Sequence, residues 1–493
     1  MTIAFSSIPS NLRIPFFAME FDGSNANASI AGADKGIIFA NKTSAGAAVS
    51  GEINPIFSDS DAIRLAGRRS VGRAMAKAVL ANASTVEWYL CVIDDNGAGV
   101  APVWTLTVSG TATKAGTLPF YFGTTAEPVQ VGVAVGDTAS AIAAAINTAL
   151  GANADIQVTA SVTGAVVTAT HANKGTMGNH LTPLCGGRRG DVIPADLGIT
   201  VTIVQTVTGS GNPTLSGALA NWSGEDFALC VHAWDDATSL TTLETEAANR
   251  WGPMVAMDVF FLAGLNLALA SAQSVGNSRN SKHTGFVSAP GSKSPSAGYE
   301  LAGYVGGIAL ASLTNLPSQP LQTLQPAGAY PPSKSLRFTD TERNTLLWNG
   351  VGATSANGDS AVKIDRLITT YKTNEAGSPS EAFLDVNTMF TLRRARKLFR
   401  SMLAERYPRH LIASDSPNLP ANLPIMTESE GKTFAIDWYN TCANAGLFES
   451  AGLDAFITAL SVERQGKNGM AWYLPPDIMN QFVVGAAKAA FVL

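Results

Sequence analysis

Two stretches of this chain alternate short apolar runs with amphipathic segments, and a third stretch between them alternates single apolar and polar residues. From about 36 to 93 the order is strand (Gly36 to Ala40), helices (Asp61 to Leu65, then Ser70 to Asn82) and strand (Val86 to Ile93). Asp94-Asp95-Asn96-Gly97 closes that strand in a turn. The rhythm returns with a buried strand at Phe227 to Val231, an amphipathic helix at Ala237 to Arg250 and a strand at Met257 to Leu262. A helix at Leu265 to Val275, a strand at Gly285 to Ser288 and a helix at Tyr299 to Leu313 follow. Strands alternating with helices predict a mostly parallel sheet with helical crossovers. From about 98 to 220 the composition turns to Thr, Val, Gly and Ala, with period-two strands such as Trp104 to Val108 and Val158 to Val162 and one helix, Asp137 to Leu150. This predicts a mostly-β domain inserted into the α/β body, as is tolerated where the ends of a surface loop lie close together.

Five prolines between Pro317 and Pro332 mark a boundary. Beyond it, Thr339 and Glu342 form a capping box opening a helix to about Trp348, and Asn357-Gly358 reads as a hairpin turn before a strand from Val362 to Thr370. A long helix from about Val386 to Tyr407 ends at Pro408, and a second capping box, Thr427 with Glu430, opens a helix that Gly446 stops. Phe456 to Arg464 and Met470 to Leu474 predict a closing hairpin around Lys467-Asn468-Gly469. The expected fold is therefore α/β and α+β multidomain. An α/β body (22–97 and 221–335) carries the inserted mostly-β domain (98–220) and a C-terminal α+β domain (336–475), with extended arms at 1–21 and 476–493.

The stretch from Asn480 to Leu493 organises this picture. Read with period two, Phe482, Val484, Ala486, Ala490 and Val492 share one face with Lys488, and Val483, Ala487, Ala489, Phe491 and Leu493 lie on the other. A strand apolar on both faces has to be covered on both sides, whereas terminal segments usually fray at the surface. It is a core strand of its own domain, an Ala-rich helix, or a strand that completes a neighbour's sheet. Residues 1 to about 21 also alternate, with prolines at 9 and 15, which suits an extended edge-type arm.

A hydrophobic share of 46% with only 14% charged residues fits a globular chain whose surface ends largely against other protein. The net charge of −5 argues against general nucleic-acid binding. Cys91, Cys185, Cys230 and Cys442 are far apart and read as free thiols of a reducing compartment. The N-terminal stretch lacks the basic region of a signal peptide. Val255 to Ala272, the most hydropathic segment, contains Asp258, Gly264 and Asn266 and reads as a strand running into a helix.

Candidate chemistry is sparse. The five histidines sit in separate segments with no metal-ligand spacing, and no nucleophile elbow appears. Gly431-Lys432-Thr433 faintly resembles a phosphate-binding loop, but position 426 is methionine where that loop needs glycine. Asp94-Asp95 and Asp235-Asp236 follow strands and are expected to serve turns and caps rather than catalysis. No enzyme, cofactor or metal is expected. The long helix is the exception: Arg393, Arg394, Arg396, Lys397 and Arg400 crowd one side of it, opposite Met389, Leu392, Phe399, Met402 and Leu403. Such a run is either a solvated face or, at this density and without interleaved aromatics, a contact for a polyanionic surface, protein or phosphate, rather than for DNA.

Several phrases, in order, resemble the contractile tail sheath protein of Mu-like phages. They are Ile8-Pro-Ser-Asn-Leu-Arg-Ile-Pro15, Arg250-Trp-Gly-Pro253, Gly276-Asn-Ser-Arg-Asn280, Pro320-Leu-Gln-Thr-Leu324 and Arg337-Phe-Thr-Asp-Thr-Glu-Arg-Asn344. Arg366-Leu-Ile-Thr-Thr-Tyr-Lys-Thr-Asn374, Tyr407-Pro-Arg-His410 and Leu474-Pro-Pro-Asp477 complete the set, which spans nearly the whole chain. The resemblance implies a subunit of hexameric rings stacked around an inner tail tube in a virion tail assembled in the host cytoplasm. Its partners would be itself, the tube protein, and baseplate and tail terminator proteins, with no direct nucleic acid and no membrane insertion. On a baseplate trigger such sheaths shorten and widen, driving the tube through the host envelope. The sheath of a phage-tail-like bacteriocin or other contractile injection system is the alternative.

The same resemblance implies roles. Ile8, Leu12 and Ile14 of the N-terminal arm, and Phe482, Val483, Val484, Phe491, Val492 and Leu493 of the C-terminal one, would be donated as strands to neighbours. Ile457, Leu460, Val462, Met470, Trp472 and Leu474 would form the acceptor hairpin, and the basic helix would face the tube. Burying each large apolar arm residue contributes about 1.5–3 kcal/mol, and ordering each of some twelve arm residues costs about 1–2 kcal/mol. One arm is thus near break-even, and only many arms acting together hold a lattice.

Overall fold

The computed structural model describes residues 34–83, 85–123, 128–188, 191–420 and 423–490. The first α/β stretch supplies β1 (Lys35–Asn41), β2 (Ile53–Ile56), α1 (Asp59–Ala66), α2 (Val71–Leu80) and β3 (Trp88–Ile93). The inserted stretch supplies β4 (Val103–Gly110), β5 (Gly116–Tyr121), β6 (Val129–Val133), α3 (Ala139–Ala152), β7 (Val158–Thr163), β8 (Val166–His171), β9 (Leu184–Cys185) and β10 (Ile199–Val207). The short helix α4 (Ser216–Ala220) leads back to β11 (Phe227–His232), α5 (Ala237–Trp251), β12 (Phe260–Leu265), α6 (Leu269–Asn277), β13 (Thr284–Ser288) and α7 (Gly298–Asn315). Then come α8 (Asp340–Trp348), β14 (Ala353–Asn357), β15 (Ala361–Arg366), α9 (Val386–Arg406), β16 (Leu411–Ile412) and β17 (Ile425–Met426). The last elements are α10 (Glu428–Asn444), α11 (Leu453–Ala459), β18 (Ser461–Gln465) and β19 (Gly469–Tyr473).

The body is a six-stranded sheet in the order β13-β12-β11-β1-β3-β2, with every neighbouring pair parallel except β2 with β3. Its inner strands are apolar on both faces and buried on both, which is why they read as unbroken runs. Helix α7 covers one face at very short range. A methyl group placed at Gly306 would stand 2.2 Å from Val231 Cγ1, and one at Gly303 2.8 Å from the Met75 carbonyl of α2. Only hydrogen at these two positions lets α7 lie against both the sheet and α2.

The insert holds an antiparallel sheet, β10-β4-β8-β7, and a smaller one, β6-β5-β9. Helix α3 lays Ile142, Ile146 and Leu150 on the larger sheet's apolar side, which includes Trp104, Leu106 and Val167. The insert is tied to the body by charge. Buried Arg73 of α2 bonds Asp59 at 2.7 Å and Asp155 at 3.0 Å, and Arg69 donates to the Val158 carbonyl at 2.5 Å. Asp95 accepts from Asn41, Asn173 and the Lys174 amide, and Asp235 meets His180 at 3.1 Å.

Two apolar cores organise the rest, and they do not divide at 336. Phe338, Leu346 and Val351 pack with Phe286 and Leu265 of the body, and Ile364, Leu367, Val386 and Phe390 join the main core. The second core gathers Ala395, Trp438, Tyr439, Cys442, Phe448, Phe456, Leu460 and Val462. Helix α9 therefore spans both cores, its first half in the body and its second half in the C-terminal unit.

The closing hairpin is shorter than its apolar pattern suggests. Leu453 to Ala459 is helix α11, because Leu453 and Phe456 fall three residues apart toward the second core and Thr458 bonds back to the Asp454 carbonyl. Ile457 thus lies on the outer side of a helix, and Leu460 follows as the residue whose amide closes it.

Candidate assembly surface

Residues 477–480 are pinned beside α11 and the end of α10. The Glu449 amide donates to the Asp477 carbonyl at 3.0 Å, the Met479 amide to Leu447 at 2.9 Å, and the Asn480 amide group to Glu449 Oε1 at 3.1 Å. Past this anchor the chain runs without helix or strand pairing to residue 490. The Gln322 side chain reaches the Phe482 carbonyl at 3.2 Å. Phe482 is 76% exposed and Val484 80%, Val483 is half-buried, and residues 485–490 are exposed. Of the three readings of this stretch, its described part is neither core strand nor helix. Phe491, Val492 and Leu493 lie outside the described residues, as do Ile8, Leu12 and Ile14.

The hairpin β18–β19 is a two-stranded sheet, and among the described residues neither of its outer edges is paired. One face packs on α10: the Trp472 ring nitrogen donates to the Gly431 carbonyl at 3.0 Å, and a methyl at Gly431 would meet Val462 Cγ1 at 2.8 Å. Gly431 is therefore a packing position, and the Gly431-Lys432-Thr433 phrase lies within helix α10. Phe399 joins Trp472 edge-on at 5.8 Å, and Met470 and Leu474 rest partly buried on the same core. A two-stranded ribbon with open edges is marginal alone and receptive to further strands. Of the six expected acceptor residues, Val462, Met470 and Trp472 lie on it, Leu474 follows it directly, and Ile457 and Leu460 do not belong to it.

The basic helix needs a larger correction. Arg393 is buried and meets Asp34 at 3.2 Å and Asp226 at 2.8 Å, besides donating to the Asp258 carbonyl. Lys397 bridges the same two acids at 3.3 Å and 2.7 Å, and Arg396 bonds Asp258 at 2.7 Å and stacks over Trp251. Arg394 donates to the Thr314 and Asn315 carbonyls at the end of α7. These four cations clamp the C-terminal unit to the body, so they are not a free face; Arg400 is the exposed member of the five. Burial alone would raise the Asp226 carboxyl, but Arg393 and Lys397 outweigh it and hold it below the usual carboxylate value. Asp258 is raised by its burial, which Arg396 and Arg393 only partly offset.

The acidic pairs after the strands are structural. Asp236 caps α5 and Asp94 pairs with Lys42, while Asp95 and Asp235 fasten the insert, a role that only their distant partners reveal. Cys91, Cys230 and Cys442 are buried free thiols, and burial pushes Cys91 up to about 11 and Cys442 to about 12. Among the described residues no helix is long and apolar enough to cross a membrane.

Residues 208–370, which run from the end of the insert through β15, match the family described as phage tail sheath protein central domain. The chain is 29% identical over 496 residues to the Mu-like prophage FluMu tail sheath protein of Haemophilus influenzae, covering all of both chains. Over its whole length the chain is similar to a phage tail sheath protein. Its fold is similar to the crystal structure of a sheath tail protein from Desulfitobacterium hafniense (TM-score 0.50, 12% identity, 95% of this chain and 97% of that one). The proteins it is similar to are structural components of phage tails and not enzymes.

Proposed function

We propose that the protein polymerises as stacked hexameric rings around an inner tail tube, and that its subunits are linked by strands donated from their arms. The observation that carries this reading is the C-terminal stretch: pinned at 477–480, then presenting Phe482 and Val484 to water in an unpaired extended chain. Its complement is the open-edged ribbon β18–β19 in the same unit. A donated strand gains main-chain hydrogen bonds along an edge and covers apolar side chains that otherwise face solvent. The N-terminal arm, with Ile8, Leu12 and Ile14, is the second donor, and residues 98–220 are an outer domain carried on the body.

Contraction on a baseplate signal drives the tube through the host envelope. The C-terminal unit faces the tube, and Arg400 rather than the clamped Arg393, Arg394, Arg396 and Lys397 contributes the positive surface there. Tail terminator and baseplate proteins cap the polymer, which assembles in the host cytoplasm. Removing residues 481–493 tests the linkage. The expected product is a folded, soluble subunit with an unchanged circular dichroism spectrum and no polymers by electron microscopy. A truncated chain that unfolds, or one that still polymerises, contradicts it.

A further inference from the structure

One surface of the insert is unlike the rest of the protein. The four-stranded sheet β10-β4-β8-β7 has α3 on one side, and its other side is open to solvent. The strand registers place Thr200, Thr202 and Val204 beside Ser109, Thr107 and Thr105, and past a bulge they place Val207 beside Val103. Val166, Thr168 and Thr170 of β8 continue these rows, and Thr163, Ser161 and Thr159 of β7 end them. Ten of these fourteen side chains carry a hydroxyl, four are valine, and none is charged or buried. Folding does not require this. Exposed strands accept Lys and Glu readily, and edge strands ordinarily use them to block unwanted pairing. Edge strand β10 has none along its whole length.

We propose that this face is a docking surface for neutral, hydroxyl-rich polysaccharide. The hydroxyls repeat about every 4.8 Å across the strands and about every 6.7 Å along them. Each both donates and accepts hydrogen bonds, as sugar hydroxyls do. The spacing between strands is near the length of one pyranose ring, so a glycan lying across the strands follows one row and meets about one strand per sugar. With no charge on the face, it holds nothing to attract a polyanion or polycation and no ionic group to desolvate when a neutral polymer docks. The area is roughly 20 Å by 20 Å, about half of the ~800 Å² each partner contributes to a stable protein interface. That is too small for a second copy to hold alone, and suited to weak contacts repeated many times on a polymer. The avidity of the assembled particle rests on the sheath reading; recognition by the face does not.

The test uses the full-length protein, polymerised or coupled densely to beads, with powdered cellulose and chitin as neutral probes and dextran sulfate as the charged one. Wild type is expected to bind at least one neutral polymer, insensitively to salt. The pair T105E and T168K, which lie opposite each other on adjacent strands and leave net charge unchanged, is expected to weaken binding at least about tenfold through lost hydroxyls and added charge desolvation, with the fold intact. Failure of wild type to bind either neutral polymer overturns the proposal. So does equal binding by the variant, binding confined to dextran sulfate at low salt, or self-association that the variant abolishes. Beads supply multivalency independently, so beads that bind while microscopy finds no polymers refute the sheath reading alone.

Discussion

Arg393 is the residue whose removal separates an internal clamp from a tube-facing surface. Arg393→Ala deletes a buried guanidinium that meets Asp34 at 3.2 Å, Asp226 at 2.8 Å and the Asp258 carbonyl. Breaking a buried pair by removing one partner typically costs about 3–5 kcal/mol, because the other charge is left uncompensated. Two features reduce that here. Lys397 remains 2.7 Å from Asp226 and 3.3 Å from Asp34, and Asp226 keeps about a third of its side chain in water. Screening and the surviving partner bring the expected loss to about 2–3 kcal/mol. Urea unfolding of the non-polymerising truncated subunit, followed by tryptophan fluorescence, measures it, with Arg400→Ala as control within about 0.5 kcal/mol. An Arg393→Ala subunit as stable as wild type, yet unable to assemble on its tube, would refute the clamp and restore the tube-facing assignment.

Gly306→Ala places a methyl 2.2 Å from Val231 Cγ1 and is expected to destabilise by about 1–3 kcal/mol, read from the same urea midpoints. Trp472→Ala removes the ring that seats the hairpin on Gly431 and is expected to abolish polymers while the body still folds, as near-ultraviolet dichroism and microscopy check together. Burial lowers His171 to about 4, His232 to about 3 and His283 to about 4. The unfolded chain therefore takes up protons first, and stability falls from about pH 6.5 toward pH 4. His232→Phe, which keeps the ring against Trp234 and Phe261, is expected to flatten that fall in a pH series of unfolding curves. Below it, the stability given by Asp155, held low by Arg68 and Arg73, and Asp226, held low by Arg393 and Lys397, both against the upward pull of burial, is present above about pH 4 and lost as pH falls through their lowered values.

The parallel sheet was readable because its strands are buried on both faces and so appear as unbroken apolar runs, such as Phe227–His232. The helix starts were readable because a cap is local: Thr339 with Glu342 and Thr427 with Glu430 lie three residues apart. Phe456 to Arg464 misled, since a short apolar run fits a helix segment and a strand equally until the core position of Phe456 decides. The basic helix misled for a different reason. Arg393 finds Asp34 across 359 residues of chain, and no local pattern records such a pairing. The exposed tail was legible as a conflict, two apolar faces where one domain had no room for them.

On the proposed reading each subunit is completed by its neighbours. A cryo-electron microscopy map of the polymer measures this directly, by tracing the chain beyond Asn480. Phe482 to Leu493 are expected as a strand hydrogen-bonded along an edge of β18–β19 in another copy. Density that turns back after Asn480 and seats Phe482 and Val484 against the chain they came from would contradict it.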